Sequence, residues 1–156
     1  MIGHSGTSRG RCAAINTRIT KSEDASEVCD IIEACAAEFN HVNVATAFRK
    51  LLLAQLSRAG PSRAKRDGSR VRVESALQTL EQTVLRTIEE FGSQAVANTL
   101  HAMAKARYLP SDPAVLPALE RQAEVVAPTM DNQNVANTLW AYARMRRAPS
   151  AGLMSP

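Results

Sequence analysis

Cations recur in this chain at a fixed spacing. Lys105 is answered 39 residues later by Arg144, and Arg107 by Arg146, with Arg147 directly after. Two positive columns at one interval have two readings: cations favoured by the helix dipole at expected helix C-termini, or polyanion binding, because phosphate contacts give sequence-independent affinity and need charge laid out along a track. Arg49 and Lys50 lie upstream, in a stretch (40–58) that has basic residues and no acid. Other chemistry is not recognisable. His41 and His101 have no Cys or His at ligand spacing. The three cysteines, Cys12, Cys29 and Cys35, are odd in number and fit no Cys-x-x-Cys pattern, and Cys29 and Cys35, in an expected helix, read as buried small apolar residues. No Ser-His-Asp set, phosphate loop or paired-carboxylate site is present. The reading is a binding protein, not an enzyme, with no cofactor and no metal.

The elements that must position these cations form a repeat. Gln94 to Ala104 returns as Gln133 to Ala143, and of the 18 positions from Gln94 to Ser111, 11 are identical to their partners at this offset. A fainter copy lies upstream at Asn43-Val44-Ala45-Thr46-Ala47-Phe48. Self-similarity at such a period is the mark of a repeat array. Apolar residues recur at helical spacing: Val28, Ile31, Ile32, Cys35 and Phe39 in one segment, Leu77, Leu80, Val84 and Ile88 in another. With 45% hydrophobic residues, much of it alanine, and 4% aromatic residues, the composition favours closely packed helices over a sheet.

The expected fold is all-α, an α-solenoid of about three helix-turn-helix repeats, since one helix pair cannot bury its apolar face alone. The repeats fall at about 22–57, 73–109 and 110–147. Columns predicted to share environments are Val28/Leu80/Leu119, Ile32/Val84/Ala123 and Phe39/Phe91/Met130 in the first helices, then Val44/Val96/Val135 and Phe48/Leu100/Leu139 in the second. Residues 1–21 read as a disordered or transit-like tail, and 148–156 as a second unstructured tail. The stretch 58–72 has Gly60, Pro61 and six basic residues against one acid, and reads as a basic loop. Ser93 and Asp131 are expected to cap the helices that follow them. No run of 18 uncharged apolar residues exists, so no membrane span is expected.

The string Gln133-Asn134-Val135-Ala136-Asn137-Thr138-Leu139-Trp140-Ala141-Tyr142-Ala143 resembles the signature of octotricopeptide repeats, which are degenerate helix pairs of about 38 residues. Gln94 to Ala104 is similar, with His101 where the family prefers Trp. Phe39 to Ala47 resembles a divergent leading repeat, with Thr46 for Asn and Ala47 for Thr. The resemblance spans about residues 23–147. It implies a relative of pentatricopeptide-repeat proteins that binds single-stranded RNA in mitochondria or chloroplasts and acts in transcript stability, processing or translation. The cytoplasm is the alternative location. Arg49, Lys50, Lys105, Arg107, Arg144, Arg146 and Arg147 are the candidate RNA contacts.

Asn98, Thr99, Asn137, Thr138 and Trp140 form the structural repeat signature. Each asparagine amide is expected to bridge to a neighbouring helix, with base contact as the alternative reading, and Trp140 to fill the core or a repeat interface, with base stacking as the alternative. The last helix has no polar capping unit after it. The face carrying Leu139, Tyr142 and Met145 is therefore expected to be partly exposed, for a protein partner or further repeats. A scaffold subunit of a large ribonucleoprotein assembly is the alternative function.

Overall fold

The computed structural model describes residues 5–56 and 63–154. The described chain is all-α, with eight helices and no strand. They are α1 (Ser5–Lys21), α2 (Ala25–Cys35), α3 (His41–Leu56), α4 (Arg63–Thr87), α5 (Ser93–Ala106), α6 (Val115–Val126), α7 (Asn132–Arg144) and α8 (Ala151–Met154). Two series of neighbours run through the molecule. In one, α1 packs on α3, α3 on α5 and α5 on α7; in the other, α2 packs on α4, α4 on α6 and α6 on α8.

Local structure repeats at the intervals of the sequence. Single 3-10 turns close α2, α4 and α6 at Ala36–Glu38, Ile88–Glu90 and Ala127–Thr129. Each is followed by an extended residue, Phe39, Phe91 or Met130. Phe39 and Phe91 are buried there, and the larger aromatic side chains bring much of their area out of water. The carbonyls they leave behind are taken up by the helix that follows in the same series: Arg86 of α4 donates to the Phe39 carbonyl at 3.5 Å, and Gln122 of α6 to the Phe91 carbonyl at 2.9 Å. The columns Val28/Leu80/Leu119 and Ile32/Val84/Ala123 are all buried, as their spacing predicts. Asp131 caps α7 by accepting from the Asn134 amide at 2.7 Å.

Several boundaries differ from the sequence reading. Residues 5–21 are a helix and not a disordered tail, because Ile15 and Ile19 stand four apart and bury one face against the α3 side. Asn43 fixes that contact by donating Nδ2 to the Cys12 carbonyl at 2.9 Å, buried. The basic segment is helical from Arg63, so α4 begins ten residues before the predicted Val73 and runs through Gly68. Glycine lowers helix propensity by about 1 kcal/mol without forbidding a helix. Arg72 then ties this end of α4 to α2, donating to Ser26, Asp30 and both oxygens of Glu33. The guanidinium holds the Glu33 carboxyl below its ordinary range. Gly60 and Pro61, on which the loop reading rested, lie outside the described residues. Gly92 and not Ser93 occupies the cap position of α5; the Ser93 hydroxyl donates instead to the Thr129 carbonyl at 3.3 Å. Residues 151–154 form the short α8, whose Leu153 packs on the core in place of the expected unstructured tail.

Candidate nucleic-acid interface

The helices α3, α5 and α7 stand side by side and present equivalent positions along one edge. Their amphipathic spacing decides which repeat residues point where. Thr99 and Thr138 are buried, on the same inward column as Ala47. One position earlier, Asn98 and Asn137 are half-buried at the surface. Among the described residues neither amide has a hydrogen-bond partner, so the expected bridge to a neighbouring helix is not made. The burial pattern explains this: the amides sit at the rim of the contact, where their donors and acceptors face solvent.

Asn98 lines a groove of about 400 Å³ between the N-terminal halves of α3 and α5, shared with His41, Thr46, Arg49 and Gln94. Three residues further along the helix, His101 faces Trp140 with ring centroids 4.8 Å apart and planes tilted by 42°. Trp140 is 44% exposed, so it is not the interface filler predicted for it. The indole packs against His101 on one side only, because no further helix of the α1-α3-α5-α7 series stands beyond α7 among the described residues. The His101 pKa lies below its ordinary value. Burial is the first cause, and the charges of Lys105 and Arg49 add to it. The imidazole thus sits in a positive environment built by two of the candidate cations.

A second cleft, of about 580 Å³, lies between the C-terminal ends of α5 and α7. Its walls include Met103, Leu116 and Met145, and its rim carries Arg107, Arg144, Arg146 and Arg147. Arg147 is bound to Glu120 through two hydrogen bonds, and the contact raises its pKa further. Arg107, Arg144 and Arg146 are exposed and have no ion-pair partner among the described residues.

The seven candidate contacts therefore divide. Arg49, Lys105, Arg107, Arg144 and Arg146 lie exposed on or beside adjacent helices of one series. Lys50 does not join them: its ammonium donates to the Ser22 carbonyl at 2.9 Å and holds the end of α1. Arg147 is engaged with Glu120. Of the inserted basic residues, Arg70 pairs with Glu74 and Arg72 with Asp30 and Glu33, so neither is a free surface charge. The side chains of Arg63, Lys65 and Arg66 lie outside the described residues.

A buried carboxylate was missed by the sequence reading. Glu81 accepts from the Tyr108 hydroxyl, from the Ser111 amide and hydroxyl at 2.9 and 2.8 Å, and from the Asp112 amide at 2.9 Å. Burial and this contact push the Tyr108 pKa up. Each carboxylate oxygen accepts from neighbours at the turn after α5, so the group braces that turn. Its counterpart 39 residues on, Glu120, braces the same place through Arg147. The signal available in the sequence was that offset of 39, which pairs Glu81 with Glu120 and Tyr108 with Arg147. Among the described residues no group of three metal-binding side chains occurs, and no helix is long and apolar enough to cross a membrane. No family model, curated protein or solved structure matches the chain.

Proposed function

We propose that the two helix series are an α-solenoid of the octotricopeptide-repeat kind and that the α3-α5-α7 edge binds single-stranded RNA. One observation carries the reading. Five cations without a carboxylate partner among the described residues lie on or beside the α3, α5 and α7 helices, which also carry two unpaired asparagine amides and a half-exposed tryptophan. Backbone phosphates recognise the first group, and bases can hydrogen-bond to the amides and stack on the ring. The arrangement has the parts of a binding surface. The organellar location and the role in transcript stability, processing or translation belong to the same proposal, through the repeat resemblance.

The test is titration of a labelled single-stranded RNA by fluorescence anisotropy at several salt concentrations. Micromolar or tighter binding that weakens steeply with salt is expected, and charge reversal at Lys105, Arg107, Arg144 and Arg146 should abolish it. Unchanged binding by that variant would overturn the mechanism. A second reading, a protein-docking scaffold, is favoured by the apolar surface of α7, where Val135 and Leu139 are exposed. Crosslinking in cell extract separates the two, with RNA recovered for the first and mainly protein for the second.

A further inference from the structure

Among the described residues other than glycine, Arg107 and Arg146 alone adopt positive φ, at 54° and 55°. They stand 39 residues apart and close equivalent helices. At the end of α5 the Tyr108 amide reaches back to the Met103 carbonyl at 2.8 Å, and the Arg107 amide to the Ala104 carbonyl at 3.2 Å. At the end of α7 the Arg147 amide reaches the Tyr142 carbonyl at 2.9 Å, and the Arg146 amide the Ala143 carbonyl at 3.2 Å. This closing turn requires a left-handed residue, and glycine is the residue that fits it, because a Cβ crowds the following carbonyl there. After glycine, asparagine and aspartate tolerate the conformation best. Arginine has neither advantage, yet it fills the position twice.

The usual reason for a cation near a helix C-terminus is the helix dipole. Lys105 and Arg144 already meet that need within the last turns of α5 and α7. Arg107, one residue beyond α5, and Arg146, two beyond α7, are therefore left without a structural reason, and both border the cleft between α5 and α7. Strained residues that persist are commonly held by function. Helix C-termini repel anions, so an anion site here has to be built from side chains, and the guanidinium fork matches a phosphate better than an ammonium does.

We propose that the cleft between the C-terminal ends of α5 and α7 is a phosphate site for a nucleic-acid backbone, in which Arg107 and Arg146 bind phosphate from strained left-handed positions. It rests on the RNA reading above. Arg144, unpaired at the same rim, completes the site, while Arg147 is kept from it by Glu120. The cleft joins two consecutive units, so it sets the path of the strand from one to the next.

Glycine at these positions removes the cation and the strain together, so stability and binding should move in opposite directions. For Arg107→Gly with Arg146→Gly, the melting temperature is expected to rise by roughly 2–4 °C for each position relieved. The affinity for a short oligouridylate should fall severalfold. The slope of log K against log salt should shrink by about 1.4, from roughly 0.7 per phosphate contact on a single strand. Arg121→Gln, which removes one exposed charge from α6, should change neither quantity. A lowered melting temperature would overturn the proposal by showing that the arginines hold the turn. An unchanged slope and affinity would overturn it while leaving the RNA reading in place. Displacement of the oligouridylate by equimolar inorganic triphosphate would overturn the backbone assignment in favour of a small phosphate ligand. If the unaltered chain binds no oligouridylate, it is the RNA reading itself that fails, and the site falls with it.

Discussion

The α5 and α7 helices carry nearly the same string, but they live in different surroundings. Val96 and Leu100 are 0% exposed, whereas their counterparts Val135 and Leu139 are 41% and 37% exposed. The difference is not one of residue type. In this column Val44 and Phe48 of α3, like Val96 and Leu100 of α5, are buried, and each of these helices has a following helix of the series packed on it. Beyond α7 no described helix of that series receives the column. Burial in a stacked array is set by the neighbour and not by the helix itself. The opposite column confirms the distinction, because Thr138, Ala141 and Tyr142 face back toward α5 and are buried. Tyr142, expected at the open face with Leu139 and Met145, belongs to the closed one. Burial, with Glu120 and Glu124 nearby, pushes its hydroxyl pKa up to about 12.

The widest separation between the copies should appear in truncation. Leu100→Ala leaves a cavity in a closed core and should cost about 3 kcal/mol in urea unfolding, while Leu139→Ala should cost less than about 1 kcal/mol. Equal costs would mean that the α7 face is covered in solution, and a concentration-dependent transition would identify the cover as a second copy.

The braces come next. Glu81 is buried with all its donors from the turn after α5, so Glu81→Gln should destabilise by about 2 kcal/mol, since it turns an acceptor against the donors that surround it. Glu120→Gln loses one partly exposed ion pair and should cost less than about 1 kcal/mol. A reversal of that order would show that the second unit depends on its ion pair more than the first on its buried network.

The smallest effect is one of pH. His101 has a folded pKa below its ordinary 6.5, so the unfolded chain takes up the proton first. Stability should therefore be level above about pH 6.5, fall as the pH drops below it, and level off again below the folded pKa. His101→Phe should remove that component of the acid-side decline, read as melting temperature against pH. Retention of the full decline in the variant would assign it to other groups.

Much of the fold was legible because its determinants are local and periodic. The columns Val28/Leu80/Leu119 and Val44/Val96 carry their burial in their spacing, and Asp131 carries its cap. The α1 helix was hidden because its apolar face amounts to little more than Cys12, Ile15 and Ile19 among Gly, Ser, Thr and Arg, and its stability comes from α3 and not from propensity. The start of α4 was hidden behind Gly68 and a basic run whose Arg72 finds its acids 39 and 42 residues away in α2. On the candidate interface, the cation columns were readable as an interval. Which cations are free was not, because the partners Ser22 of Lys50 and Glu120 of Arg147 are brought together only by packing. The outward position of Trp140 was unreadable for the same reason as that of Leu139: both depend on what stands beyond α7.

Trp140 is the single tryptophan of the chain, and it lies on the proposed RNA edge beside His101. Its emission therefore reports occupancy of that edge without a label. Titration with single-stranded RNA should quench it in step with binding measured by anisotropy, and added salt should restore both together. Binding by anisotropy with unchanged Trp140 emission would place the RNA elsewhere on the molecule and contradict the account.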